Sequence, residues 1–234
     1  MSDMAARIVQ NVARVREQIA KAAERCGRKP DEITLVAVTK YVGAEEAGAL
    51  VAAGCRDMGE SRPQELCSKA QELASQPIRW HLVGHLQRNK VRRTLPLVSL
   101  LHSVDSERLL AAIDPAAAEL GRRIPVLLEV NISGDQSKHG LLATQVEPLL
   151  AKLPEYQNVQ VRGLMTMAHL KGGSDVARAD FAALRQLRDR LRGVCPAGTT
   201  LDELSMGMSR DFEEAIEEGA TLVRVGSALF EGIS

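Results

Sequence analysis

The 234-residue sequence has few aromatic side chains, no net charge and no long hydrophobic run. Aromatic residues make up 3% of the chain, which leaves little material for stacking nucleic-acid bases. Thirty Lys and Arg balance thirty Asp and Glu, so there is no basic excess to coat nucleic-acid phosphates. No apolar run approaches the roughly 20 residues that span a bilayer. These absences argue against a nucleic-acid-binding or membrane protein.

Cysteine is also scarce, and its spacing lacks the pattern of a metal or redox site. The four cysteines are Cys26, Cys55, Cys67 and Cys195. No pair has CxxC spacing, and none joins a histidine at metal-ligand spacing. The first 29 residues alternate apolar and charged positions at helical spacing, unlike the apolar core of a secretory signal. We therefore expect a cytoplasmic protein with reduced thiols and no metal centre.

Eight short apolar runs predict β-strands. They are Ile33–Thr39, Cys55–Gly59, Ile78–Gly84, Val98–Val104, Ile124–Ile132, Val159–Met167, Leu201–Met206 and Leu222–Gly226. Amphipathic stretches between them predict helices, and an extra helix from about Met4 to Arg25 comes first. Continuously apolar strands are typical of parallel sheets covered by helices. The sequence thus predicts one α/β domain over residues 1–234, a (β/α)8 TIM barrel, rather than an open doubly wound sheet, whose GxGxxG turn is absent.

Lys40 is the most distinctive residue at the predicted strand ends. In such a barrel, reactive groups collect at the carboxyl ends of the strands. The chain has eight lysines and twenty-two arginines, and Lys40 directly follows the first strand run. Alternation places Val36, Val38 and Lys40 on one strand face, towards the barrel interior. A partly desolvated lysine there is suited to forming an imine with a carbonyl group, although a solvated strand-end lysine is the alternative.

The segments after strands 7 and 8 indicate a phosphate site. SMGMS and VGSALF each place backbone amides and hydroxyls around a glycine at the predicted start of a helix. Oriented amides of this kind can bind a phosphate, although turn and capping roles explain the same residues. Arg224 shares a strand face with Gly226 and could meet a bound ring or pair with an acid. Ser61, Asp105 and Ser209 are expected to cap helices.

A lysine after strand 1 and a phosphate site after strands 7 and 8 are what a pyridoxal 5′-phosphate barrel requires. The sequence resembles the pyridoxal phosphate homeostasis protein family (the YggS/PROSC type), which is similar to the barrel half of alanine racemase. The motifs that support this resemblance cover the whole chain. They are LVAVTKYV, MGESRPQEL, WHLVGHLQRNKVR, LHSVDSERL, LLEVNISGDQSKHGL, VRGLMTMA and LSMGMSRDFEEAIEEGATLVRVGSALFEG.

The resemblance implies a fold-type III barrel in which Lys40 holds pyridoxal phosphate as a Schiff base. The residues that it assigns to the phosphate are Ser205, Met206, Gly207, Gly226 and Ser227. It assigns Arg224 to the pyridine nitrogen. Ser61 stands where the family often has Asn, so its contact with the cofactor would be made by a shorter side chain. Ser227 replaces a frequent Thr and retains the hydroxyl.

The leading functional expectation is a non-catalytic binder that buffers pyridoxal phosphate or delivers it to apo-enzymes, as a cytoplasmic monomer. An arginine cannot accept the proton of the pyridine nitrogen, so Arg224 would leave the cofactor a weak electron sink. The racemase relatives also use a tyrosine from a second domain, whereas eight β/α units account for this whole sequence.

Two enzymatic functions remain as alternatives. One is a small amino-acid racemase or lyase that uses Lys40 with Tyr41 or His85. The other is a Schiff-base aldolase that binds a phosphosugar in place of the cofactor. If the attachment is not at Lys40, Lys138 and Lys90 are the next lysines to consider.

Overall fold

The computed structural model describes residues 2–135, 139–169 and 172–233, which are built around a closed barrel of eight parallel strands in chain order. The strands are β1 Thr34–Val38, β2 Asp57–Glu60, β3 Arg79–Leu82, β4 Val98–Val104, β5 Ile124–Glu129, β6 Val159–Met165, β7 Glu203–Ser205 and β8 Leu222–Val225. The barrel closes through pairing of β1 with β8, in which Thr34 lies opposite Leu222. All eight predicted strands are present, and the predicted (β/α)8 barrel is confirmed.

Helices follow the strands, and the predicted extra helix precedes them. The α-helices are α1 Asp3–Arg25, α2 Ala44–Ala52, α3 Pro63–Glu72, α4 Val91–Thr94, α5 Glu107–Glu119, α6 Ala143–Ala151, α7 Gly173–Arg192 and α8 Phe212–Glu217. Short 3-10 helices occupy Pro30–Glu32, Arg88–Lys90, Leu153–Glu155 and Ser227–Leu229. Among the helices of the described ranges, none is both long and apolar enough to cross a membrane.

The barrel interior is apolar in its middle and polar above and below. Its buried apolar cluster consists of Val36, Leu100, Leu127, Met165 and Leu222. A much larger apolar core lies between the outer face of the sheet and the helices. Residues two apart on a strand share a face, so Arg224 follows Leu222 and Glu129 follows Leu127 on the inward side. Both are buried, so these two inward polar groups lie towards the carboxyl ends of their strands.

Helix α1 connects the amino-terminal part of the chain with its last turn. It packs against α8, α2 and the final 3-10 helix. The buried Asn11 side chain donates hydrogen bonds to the carbonyl oxygens of Leu229 (3.2 Å) and Glu231 (2.9 Å). The segment that follows β8 is thus fixed by a helix from the opposite end of the sequence.

Candidate functional site

Lys40 lies at the carboxyl-end rim of the barrel, as predicted, but it is exposed rather than partly desolvated. Strand β1 ends at Val38, and the Val42 amide donates to the Thr39 carbonyl in a turn, so strand alternation does not continue to Lys40. Its ammonium lies 4.8 Å from the ring centroid of Tyr41, which is 85% exposed. Within the described part of the chain, no acceptor pairs with Lys40 Nζ. The amine is therefore accessible to a carbonyl compound at the rim.

A buried ion pair fixes the backbone from which Lys40 projects. Lys69, on α3, donates to the Thr39 carbonyl (2.7 Å) and to Glu60 Oε2 (2.6 Å). The Thr39 hydroxyl donates to the same carboxylate, and both charged side chains are at most 5% exposed. Removing either charge would leave the other buried and unpaired, which is costly. Sequence reasoning missed this pair, because nothing in the spacing distinguishes Lys69 from a solvated helix lysine.

Two loops meet to form a site lined with amides and hydroxyls. One loop joins β7 to α8, and the other leads from β8 into the 3-10 helix Ser227–Leu229. The Ser209 hydroxyl of the first loop accepts hydrogen bonds from the amides of Gly226 (3.2 Å) and Ala228 (3.4 Å) in the second. Ser227 lies between these amides and is exposed. The structure thus brings together Gly226, Ser227 and Ser209, and only the last was not predicted as a phosphate ligand.

Gly207 gives the β7–α8 loop its shape. Its φ of +88° lies in the left-handed region that favours glycine. An added Cβ would lie 2.6 Å from Ala215 Cβ and 2.9 Å from Phe212 Cα. The Gly207 carbonyl also accepts from the Arg224 amide (3.0 Å). Gly207 therefore contributes its backbone to the loop. The side chain of Met206, by contrast, is fully buried in the core.

Arg224 is enclosed in the barrel directly before the second loop. Its guanidinium donates to Ser205 Oγ (2.5 Å) and to the Thr166 carbonyl (2.8 Å). Burial lowers its pKa to about 10, against the opposing charges of Glu129 and Asp211, so it is a cation at neutral pH. Ser205 is fully buried, and its hydroxyl also pairs with His102 Nδ1 (2.8 Å). The structure therefore places the Ser205 side chain with Arg224 and not among the loop amides.

Glu129 is a second ionisable group on the inward side of the barrel. It is 4% exposed, and its carboxyl group has no hydrogen-bond partner among the described residues. Burial raises its pKa to about 7, and the charge of Asp105 adds to the shift, while His139 and Arg224 oppose it. A carboxyl group that exchanges its proton near neutrality thus lies within the electrostatic reach of Arg224. The sequence offered only one signal for it, a charged residue ending a strand run.

Ser61 and His85 line a cleft of about 500 Å³ beside the rim. Ser61 is half-buried, and its amide donates to Glu60 Oε1 (2.7 Å). It does not cap α3, whose N-cap is Arg62 without a side-chain hydrogen bond. The other two predicted caps are also displaced, to Ser106 and Asp211.

His85 belongs to a cluster that sequence spacing did not reveal. Its Nδ1 lies 3.0 Å from Asp105 Oδ2, and its ring stacks on His139 at a centroid distance of 4.7 Å. Ligand-type atoms of the three residues all lie within 4.8 Å of one another. Three residues from the segments that follow β3, β4 and β5 thus meet at the rim, although the sequence predicted no metal centre.

The remaining residues considered from sequence are placed as follows. Lys90 lines the same cleft as Ser61, whereas Lys138 lies outside the described residues. The Tyr156 hydroxyl donates to Glu107 of α5 (3.3 Å), so its side chain is engaged with the outer layer of helices. Of the two tyrosines, only Tyr41 is therefore at the rim, and it is exposed to solvent.

Three features define the class of the alanine racemase barrel: a lysine just after the first strand, a buried arginine on the last strand, and loops after β7 and β8 that are lined with amides and hydroxyls. The family model described as "Alanine racemase, N-terminal domain" matches residues 10–233. The chain is 40% identical over 222 residues to a pyridoxal phosphate homeostasis protein of Aquifex aeolicus, covering 94% of this chain and 96% of that protein. A protein of the same name from Escherichia coli K12 is 37% identical over 227 residues, covering 95% of each chain. The chain therefore belongs to the pyridoxal phosphate homeostasis protein family.

Solved structures agree with this assignment. PipY of Synechococcus elongatus PCC7942, solved with PLP bound, has a TM-score of 0.85 and 36% identity, covering 95% of this chain and 99% of that one. Alanine racemase of Clostridium difficile 630 has a TM-score of 0.77 at 15% identity, which shows the shared fold alone. That match covers 96% of this chain and 56% of the racemase.

Proposed function

We propose that this protein binds pyridoxal 5′-phosphate (PLP) through Lys40 and serves PLP homeostasis as a non-catalytic holder of the cofactor. The observation that supports this most directly is the placement of an accessible Lys40, the Ser209–Gly226–Ser227 loops and the buried Arg224 at the carboxyl end of the same barrel. Relatives named for PLP homeostasis, and PipY solved with PLP, match nearly the whole chain.

The residues present fit each part of the cofactor. Lys40 Nζ would bond to the aldehyde carbon, and the aldehyde oxygen would leave as water. The loop amides and the hydroxyls of Ser209 and Ser227 would hold the phosphate. Arg224, the cation that precedes this loop on β8, would face the ring nitrogen. When bound, PLP supplies an electron-withdrawing ring that can stabilise a carbanion at an attached amino acid.

Two features favour holding the cofactor over turning over amino acids. The Arg224 guanidinium has only hydrogen-bond donors, so a ring nitrogen that faces it must accept a hydrogen bond and stays unprotonated, and an unprotonated ring withdraws electrons weakly. Racemisation also needs a second acid–base group on the far face of the substrate. Tyr41, the tyrosine at the rim, is exposed and stands beside Lys40 in sequence. We further propose that the protein is a cytoplasmic monomer that passes PLP to apo-enzymes.

The test is the absorbance spectrum of the purified protein with added PLP, before and after borohydride reduction. We expect a lysine–PLP band that reduction converts into a stable mass increase on the Lys40 peptide. Lys40→Ala should lose this band and retain weaker, non-covalent binding through the loops. Lys90→Ala, a second lysine near the rim, is the matched control and should retain the band. An unchanged band in Lys40→Ala would move the attachment to another lysine.

A separate measurement distinguishes a holder from an enzyme. The loaded protein is incubated in deuterated water with each amino acid, and exchange of the α-proton is followed by NMR. We expect no exchange above that of free PLP. Exchange that depends on Lys40 would favour the racemase alternative. A protein that takes up no PLP would leave the phosphosugar aldolase as the remaining hypothesis.

A further inference from the structure

A continuous line of polar side chains, buried except for its last member, runs through the barrel from Arg224 to the opposite end. It consists of Arg224, Ser205, His102, His81, Asp57 and Arg79, and we refer to it as the polar line. After the bonds from Arg224 to Ser205 and from Ser205 to His102, His102 Nε2 lies 2.9 Å from His81 Nδ1. His81 Nε2 lies 3.0 Å from Asp57 Oδ1, and Arg79 closes the line with two bonds to Asp57 of 2.7 and 2.5 Å.

The line connects the two faces of the barrel. Asp57 and Arg79 are the first residues of β2 and β3, at the amino ends of the strands. Ser205 is the last residue of β7, at the carboxyl ends. The Arg79 side chain is 63% exposed, whereas His81 and His102 are 4% and 0% exposed. A surface ion pair on one face is thus joined by buried hydrogen bonds to the arginine on the other.

Between Arg224 and Asp57, the donor and acceptor roles of the side chains make all hydrogen bonds of the polar line run in one direction. A guanidinium only donates, so Ser205 Oγ accepts from Arg224 and has its single proton left for His102 Nδ1. A carboxylate only accepts, so His81 Nε2 carries the proton that faces Asp57. A neutral His81 must then accept at Nδ1 from His102 Nε2. Reasoning from either end of the line therefore gives the same pair of tautomers, in which each donor from Arg224 to His81 points towards Asp57, while Arg79 donates to Asp57 from the other side.

The surroundings of His102 favour its neutral form. Burial lowers the pKa of His102 well below its ordinary value, and the charge of Arg224 adds to this. A protonated His81 would donate to His102, which would then donate to Ser205 and leave the Ser205 proton without an acceptor. Among the described residues, no side-chain nitrogen or oxygen that is fully shielded from solvent lacks a partner. Burial alone would raise the pKa of Asp57, but hydrogen bonds from Arg79 and His81 lower it to about 2, so the anionic end is secure.

We infer that His102 and His81 are positioning residues for Arg224, the group placed at the ring nitrogen of the cofactor by the proposed function. His102 Nδ1 accepts the hydrogen bond from the Ser205 hydroxyl, so the Ser205 lone pairs face Arg224 and hold its guanidinium in place. The tautomer of His102 is in turn dictated by His81 and Asp57. The ring-nitrogen end of the site is thereby organised from the opposite face of the barrel, by residues that touch no cofactor atom.

Two substitutions at His102 separate this role from packing. The amide of His102→Asn lies close to the position of Nδ1 and can still accept from Ser205, whereas that of His102→Gln lies near Nε2 and leaves Ser205 without its acceptor. We expect His102→Asn to keep the lysine–PLP band and to change the PLP dissociation constant less than about threefold. His102→Gln should shift the band and weaken binding about tenfold, the change expected for losing one hydrogen bond to a charged group. His169→Gln, whose amide lies near Nε2 and so breaks the bond from His169 Nδ1 to Asp180 outside the barrel interior, is the control.

Nitrogen-15 chemical shifts of the histidines in the cofactor-free protein provide a readout independent of PLP. We expect both His81 and His102 as neutral Nε2–H tautomers. An Nδ1–H tautomer at either position, or equal losses of PLP affinity and melting temperature in the two His102 variants, would overturn the inference. A wild-type protein that takes up no PLP would instead overturn the proposed function, and the histidine shifts would still decide the direction of the line.

Discussion

At the scale of single residues, Glu129 is a buried carboxyl group without a hydrogen-bond partner in the described structure. Burial favours its neutral form and raises its pKa from the ordinary 4.5 to about 7. Between these values the unfolded chain releases the Glu129 proton and the folded chain keeps it. Folded-state stability is therefore unaffected below pH 4 and falls as the pH rises towards 7.

Glu129→Gln keeps the shape of the neutral side chain and removes this titration. Since one pKa unit corresponds to about 1.4 kcal/mol, we expect the variant to gain about 3 kcal/mol relative to wild type between pH 4.5 and pH 8. Urea unfolding of the cofactor-free proteins at both pH values measures this difference. Glu155→Gln, at an exposed position, should show no such gain. Parallel pH profiles for Glu129→Gln and wild type would contradict the assignment.

At the scale of elements, the β7–α8 loop depends on one glycine. Gly207→Ala places a methyl group against Ala215 and Phe212 at a positive φ, so the loop must shift and take Ser209 away from the Gly226 and Ala228 amides. We expect a loss of about 2 kcal/mol in stability and at least a tenfold weaker affinity for PLP.

Gly121→Ala is the matched control for this loop variant. Gly121 also has a positive φ, but an added Cβ there meets no atom within 4 Å. It should therefore cost about 1 kcal/mol of stability and leave the affinity for PLP unchanged. Thermal melts and PLP titrations of both variants measure the two effects. Equal affinities in the two variants would show that the loop shape does not control cofactor binding.

The elements also show where sequence patterns are sufficient and where they are not. Buried parallel strands are continuously apolar, so all eight were predictable from local composition. Helix starts were not, and the predicted caps Ser61, Asp105 and Ser209 are all displaced. The Ser209 hydroxyl accepts hydrogen bonds from amides of a different loop instead of from the start of α8. Which of these it does depends on how two distant segments pack. Likewise, alternation places Lys40 inward only if β1 continues past Val38, where a turn begins.

At the scale of the whole molecule, α1 holds the last turn of the chain in place. Asn11 donates hydrogen bonds to two carbonyl groups in the segment that follows β8. Arg14 donates to a third carbonyl group there, that of Ala228 (3.1 Å). Asn11→Ala removes a buried donor from two acceptors. We expect a loss of about 2 kcal/mol in stability and faster amide hydrogen exchange at Ala228 and Leu229.

Gln10→Ala, at an exposed position of the same helix, controls for changes in α1 itself. It should leave both the melting temperature and the exchange rates unchanged. Exchange that is equally slow in Asn11→Ala and in wild type would show that α1 does not secure this segment.

The site was predictable in outline, because a barrel brings its strand ends to one rim whatever their order in sequence. Lys40, Arg224, Gly226 and Ser227 follow from that rule. His81, His102 and Glu129 do not, since each resembles an ordinary strand residue until the closed barrel turns it inward. Their partners lie on other strands, as with the 103 residues that separate His102 from Ser205. Such pairings are fixed by the geometry of barrel closure and are invisible to local patterns.

The bonds from Asn11 to the last turn also determine when the site can form during synthesis. Asn11 and Leu229, which one of these hydrogen bonds joins, are 218 residues apart in the sequence. Because a chain is made from its amino end, α1 leaves the ribosome long before its partners exist. Contacts between such distant segments are slow to form, so we expect the loop after β8 to be completed late in folding. We therefore expect PLP to stabilise the finished barrel rather than to guide its assembly.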